Sequence, residues 1–65
     1  MPLPWKQQPI NVLTDWIMTI REELSDELSS WEINFIDSIE GQLTSKGYLS
    51  ERQEEILERI YSRTP

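Results

Sequence analysis

Cysteine and histidine are both absent from this chain of 65 residues, and each absence removes a class of function. Without cysteine there is no disulfide framework and no thiolate nucleophile, so packing alone holds the fold and a reducing, cytoplasmic compartment is favoured. Without histidine, the usual base of nucleophile triads and the commonest imidazole ligand for zinc or iron are missing. Paired carboxylates would need a concave pocket that three short helices can scarcely enclose. We therefore expect no enzyme activity, no cofactor and no metal.

Long apolar runs are also lacking. No stretch approaches the ~20 apolar residues of a membrane span, and the N-terminus has no apolar run of signal-peptide length. A folded chain of this size buries only ~60% of the surface that its unfolded form exposes. We therefore expect one small domain, to which a partner protein or a second copy could add burial.

Basic residues are scarce, six against twelve acidic ones, which gives a net charge of -6. None lies between residues 22 and 40, where seven carboxylates are found: Glu22, Glu23, Asp26, Glu27, Glu32, Asp37 and Glu40. A net charge of this sign repels phosphate and disfavours a general nucleic-acid coat protein. It also speeds encounter with a basic surface. One hypothesis is therefore a small acidic inhibitor or DNA mimic of the phage type, which binds a basic host protein through these seven carboxylates, with Asp37 and Glu40 as its candidate contact residues.

The prolines at positions 2, 4 and 9 predict an extended N-terminal arm over residues 1–9, followed by a helical domain over residues 10–65. Trp5 lies in this arm, where a large aromatic side chain in polar surroundings is usually there to dock. We expect it to dock onto its own domain, with contact to a partner protein as the alternative.

Apolar residues at helical spacing predict three helices, and hence an all-α three-helix bundle. The first begins at Ile10 and ends near Ser25. The second and third begin at capping boxes, Ser29 with Glu32 and Ser50 with Gln53, and Gly47 ends the second. The predicted buried stripes are Ile10, Leu13, Ile17, Ile20 and Leu24; then Leu28, Trp31, Phe35, Ile39 and Leu43; then Ile56, Leu57, Ile60 and Tyr61.

An alternative joins the first two helices. A seven-residue repeat of apolar residues could pair two chains as a coiled coil; it consists of Ile10, Ile17, Leu24 and Trp31. Ile33 falls off the predicted stripe and is therefore either a single exposed isoleucine or part of a second contact surface. A self-associating structural helical protein, such as a homodimer, is a further hypothesis.

The third helix separates its charges. At ~100° per residue, Arg52, Arg59 and Arg63 share one narrow edge, opposite the acidic residues of the same helix. Together with Lys46 and Tyr48, this ridge could contact phosphates or stack on single-stranded bases. The alternative is a solvated face on which Glu55 pairs with the arginines at helical spacing. The sequence leaves both interpretations open.

Residues 28–39 (LSSWEINFIDSI) and 47–60 (GYLSERQEEILERI) combine a Trp-Glu helix start, a Phe in the next turn and a Leu-Ser-x-x-Gln cap. This pattern, over residues 28–61, resembles the small helical accessory domain that accompanies the UvsW-type recombination helicases of T4-like phages. The resemblance implies a non-catalytic module that binds a helicase or another DNA-processing protein in the host cytoplasm. The nucleotide-hydrolysing motor of the helicase then lies outside this module. No phosphate-binding loop is present in this sequence.

Overall fold

Three α-helices are arranged up, down and up in the computed structural model, which describes residues 7–65. They are α1 (Ile10–Glu23), α2 (Ser30–Lys46) and α3 (Glu51–Tyr61), and no strand occurs within the described range. The prediction of an all-α three-helix bundle is confirmed. Of the predicted arm, residues 1–6 lie outside the described residues, and Trp5 is among them.

The alternative of one long helix through Leu24 is wrong. The backbone N–H of Leu24 still donates to the carbonyl of Ile20 at 2.8 Å, but its φ of -116° and ψ of 20° end α1. A turn over residues 25–27 follows, and residues 28 and 29 lead into α2. Ser29, which caps α2, is itself extended, so a single helix could not run through it either.

Both predicted capping boxes are confirmed. Ser29 Oγ accepts from the N–H of Glu32 at 3.1 Å, while the Glu32 carboxylate accepts from the N–H of Ser29 at 2.8 Å. Ser50 and Gln53 repeat the exchange at 3.1 and 2.9 Å. Gly47 ends α2 with a φ of 81°, the left-handed conformation predicted for it. These signals fix where α2 begins and ends and where α3 begins.

The central element of the bundle is α1, which packs against both other helices, whereas the backbones of α2 and α3 approach each other least. The core consists of fully or nearly fully buried aliphatic side chains: Leu13, Ile17, Ile20, Leu24, Ile36, Ile39, Leu43, Leu49, Leu57 and Ile60. Trp16 of α1 stacks on Tyr61 of α3, with ring centroids 5.0 Å apart. A groove lies between α2 and α3, and no residue of α1 lines it.

The predicted buried face of α2 is wrong at Trp31. This side chain is 59% exposed, Phe35 is only half-buried, and the predicted flanking residue Ile36 is a core residue. A four-residue spacing advances by about 400° and therefore drifts by ~40° at each step, so three steps back from Leu43 rotate a side chain out of the core. The stripe that is buried has mixed spacing and passes through Ile36, Ile39 and Leu43.

Candidate interaction groove between α2 and α3

A groove of about 370 Å³ lies between the first turn of α2 and the length of α3. We call it the arginine groove. Its lining residues are Trp31, Glu32, Arg52, Ile56, Arg59, Ile60 and Arg63. Arg52 and Arg59 line it together because they are seven residues apart on α3, which places them on one face, and Arg63 follows two residues after the end of that helix. The predicted arginine ridge is therefore one wall of a groove whose other wall is formed by α2.

Trp31 gives the arginine groove an exposed aromatic wall. Its indole ring stacks on Phe35, with centroids 5.3 Å apart and planes 7° from parallel. Phe35 is itself half-buried against the core. The stack therefore holds the exposed indole to the body of α2, which limits the rotamer freedom that a binding partner would have to restrict.

Arg63 has a structural role at one end of the groove. It donates to the Glu32 carboxylate and, at 3.3 Å, to the backbone carbonyl of Glu27. The Glu32 side chain is only 16% exposed. The hydrogen bond from the N–H of Ser29 lowers the pKa of Glu32, and Arg63 lowers it further against the opposing effect of burial. Arg63 thus ties the end of α3 to the start of α2 and to the turn before it.

Arg52 and Arg59 are held far less firmly. Both approach the same oxygen of Glu55, Arg52 at 3.7 Å and Arg59 at 3.3 Å, and both side chains are about three-quarters exposed, at 76% and 74%. Exposed ion pairs of this kind contribute little to stability. The predicted pairing of Glu55 with both arginines is confirmed. One carboxylate shared by two guanidinium groups leaves a local excess of positive charge in the groove.

The predicted partner-binding residues of α2 lie on a second surface. Ile33 (44% exposed) and Asp37 line a pocket of about 180 Å³ together with Arg21, Leu28 and other residues of α1, α2 and their connecting turn. Arg21 ion-pairs with Asp37 at 2.7 Å and with Glu40 at 2.9 Å. Asp37 and Glu40 thus hold α1 and α2 together.

The charge on Arg21 is stabilised by the same two carboxylates. Partial burial acts to lower the pKa of Arg21, but the hydrogen bonds and charges of Glu40 and Asp37 outweigh it and raise the pKa above its ordinary value. No role for Arg21 was predicted from the sequence. The signal was available, since it is the cation that directly precedes the acidic segment, but pairing across two helices depends on how they pack.

Lys46 and Tyr48 are not brought into the arginine groove, because they lie at the other end of α2 and in the turn after it. The Tyr48 ring is 42% exposed, and its carbonyl accepts a hydrogen bond from Gln42 at 3.2 Å. Gln42 also exchanges two side-chain hydrogen bonds with Gln53 of α3, at 2.9 and 3.0 Å. The end of the bundle that contains Lys46 and Tyr48 is thus closed by amide contacts between α2 and α3.

Residues 7 and 8 of the arm lie against this same end of the bundle. The Gln7 side chain accepts from the N–H of Leu49 at 2.9 Å, and the N–H of Gln8 donates to Glu54 at 3.1 Å. The described part of the arm is therefore docked beside the start of α3. The predicted docking of Trp5 concerns a residue outside the described range.

The described residues contain no cluster of three or more carboxylates that could hold a metal ion. No described helix is both long enough and apolar enough to cross a bilayer. No protein-family model, no curated protein and no solved structure matches the chain.

Proposed function

We propose that this chain is a non-catalytic module that binds another protein in DNA recombination, repair or replication of the phage type, beside a helicase or a related enzyme in the host cytoplasm. The arginine groove is its binding surface. The single observation that supports binding is the 59% exposure of Trp31 on the wall of a groove that contains Arg52 and Arg59. Tryptophan and arginine are the residues most enriched at the energetic centres of protein interfaces.

The assignment to DNA processing comes from the resemblance of residues 28–61 to the helicase-associated phage domain. The exposed indole lies within the Trp-Glu helix start on which that resemblance depends. The rival hypothesis is an acidic inhibitor that acts through the carboxylates of residues 22–40. It is weakened at Asp37 and Glu40, because both already form ion pairs with Arg21. A basic partner would have to compete with that guanidinium group.

The test is affinity capture from phage-infected cells with the full chain as bait, followed by mass spectrometry. Wild-type protein is compared with Trp31→Lys, which alters the groove, and with Met18→Lys, which introduces the same charge at a 56% exposed residue of α1. We expect a DNA helicase, recombinase or other DNA-processing protein to be retained by wild type and by Met18→Lys and lost with Trp31→Lys.

Two results would contradict the proposal. One is a retained set that contains no DNA-processing protein. The other is retention that is the same for all three baits, since a partner bound elsewhere on the bundle would not respond to Trp31. Circular dichroism of the three baits should superimpose, because both substituted side chains are exposed.

A further inference from the structure

The arginine groove presents charge and apolar surface in a fixed order. Along α3, Ile56 lies between Arg52 and Arg59, which are separated by about 10 Å of helix rise. The Trp31 indole and the Ile56 side chain line the same groove. Along α3 the groove therefore presents a positive charge, an apolar side chain and a second positive charge. The Trp31 ring lies beside the apolar centre.

Only these two arginines are available to a ligand. Arg63 is committed to Glu32 and to the carbonyl of Glu27, and its removal would release the end of α3. Arg52 and Arg59 share Glu55 at 3.7 and 3.3 Å, so either can turn to a new carboxylate at little cost. A ligand that supplies two negative groups would give each arginine its own partner.

We propose that the arginine groove binds an extended acidic segment of the partner protein, in which two carboxylates flank one apolar side chain. In an extended peptide, residues i, i+2 and i+4 point to the same side, and the outer two lie ~13 Å apart. This span exceeds the helix rise between Arg52 and Arg59 by ~3 Å, which the long arginine side chains can cover. The apolar side chain at i+2 then lies on Ile56 against Trp31. The inference deepens the proposed function and depends on it.

Charge favours a peptide over single-stranded nucleic acid in this groove. A nucleic-acid strand carries one negative charge at every nucleotide. Where it extends beyond the groove, its phosphates would be repelled by a protein of net charge -6. Within the groove the two lining arginines besides Arg63 are already faced by Glu55. A segment with two separated carboxylates brings far less negative charge to this small local excess of positive charge than a polyanion does, and is therefore repelled less by the rest of the protein.

The experiment titrates the full chain with the peptide GDSFSDG and follows ¹H–¹⁵N spectra. The Trp31 indole N–H, identified from its loss in Trp31→Phe, should shift, and that of Trp16, which is stacked on Tyr61, should not. The Arg59→Gln variant should bind about fivefold more weakly. Lys46→Gln, which removes one positive charge outside the groove, should change the affinity by less than about twofold. The peptides GNSFSNG, without charge, and GDSASDG, without the aromatic side chain, should each bind more weakly than GDSFSDG.

Several outcomes would overturn the inference. The first is that the Trp31 indole N–H signal does not shift, and the second is an equal loss of affinity in Arg59→Gln and Lys46→Gln. The third is that GNSFSNG binds as tightly as GDSFSDG. The fourth is that an oligothymidylate of eight nucleotides binds more tightly than GDSFSDG. A dimer of the chain that Arg59→Gln dissociates would also overturn it, because the groove would then hold a second copy. If the peptide fails while Trp31→Lys still loses a DNA-processing partner in cells, the proposed function stands and only the nature of the segment is wrong.

Discussion

The two carboxylate oxygens of Glu32 accept hydrogen bonds from different parts of the chain: one accepts from the N–H of Ser29, and the other accepts from the guanidinium group of Arg63. The first bond caps α2, and the second attaches the end of α3 to it. The residue that starts the second helix therefore also anchors the third. This relationship makes Glu32 the point at which local structure and tertiary packing can be separated by experiment.

The substitution Glu32→Gln should remove the ion pair and keep the cap, because a glutamine at this position can still accept from Ser29. We expect the free energy of unfolding at pH 7 to fall by about 1 kcal/mol. The measurement is urea unfolding followed by circular dichroism.

The difference between wild type and Glu32→Gln should depend on pH. The folded-state pKa of Glu32 is lowered, so its stabilisation is present above the unfolded-state value of about 4.3 and disappears as the pH falls through the lower folded-state pKa. The two unfolding free energies should therefore converge on the acid side. A gap that stays constant from pH 7 to pH 3 would show that the charge of Glu32 is not what stabilises the fold.

The corrected face of α2 leads to a prediction about its aromatic residue. Ile39→Ala should cost about 3 kcal/mol, since this side chain is fully buried, and a domain of this size would then be close to unfolding. Trp31→Ala should cost less than about 1 kcal/mol, because the indole is mostly exposed. Chemical denaturation of both variants measures the contrast. A larger loss of unfolding free energy for Trp31→Ala than for Ile39→Ala would show that Trp31 belongs to the buried face of α2 after all.

The two glycines should respond to the same substitution with opposite sign. A Cβ atom at either one meets nothing within 4 Å, so only backbone conformation matters. Gly41 lies inside α2, and Gly41→Ala should stabilise the protein by about 0.5–1 kcal/mol. Gly47 has a φ of 81°, and Gly47→Ala should destabilise it by about 1 kcal/mol. Thermal melts of the pair provide the measurement, and a shift of the same sign in both would contradict the prediction.

Arg21 should contribute to stability in a way that depends on salt. Arg21→Met keeps most of the aliphatic stem and removes the ion pairs with Asp37 and Glu40, so we expect a loss of about 1 kcal/mol at low ionic strength. Near 1 M salt most of this difference should vanish because the side chains involved are partly exposed and screened. Lys46→Met, at an exposed cation in the last turn of α2, is the matched control and should show a smaller loss.

The helix boundaries could be predicted from the sequence because their signals are local. Ser29, Ser50 and Gly47 act on backbone groups a few residues away, and each does in the structure what the pattern predicts. The face of α2 could not be assigned correctly from one four-residue series, because Ile36 and Phe35 both fit a helical stripe and only contact with α1 decides which is buried. The roles of Arg21 and Arg63 depend on the approach of helices distant in the sequence, which spacing along one helix does not contain.

The central position of α1 determines the order in which the domain can be completed. The apolar side chains of α1 are covered by both later helices. Trp16 can stack only after Tyr61, a residue 45 positions further along the chain, has been synthesised. During synthesis, α1 and α2 therefore emerge from the ribosome with Leu13, Ile17 and their neighbours incompletely covered. Only when α3 has left the exit tunnel can the nascent chain close, so the core is completed by the last helix to be synthesised.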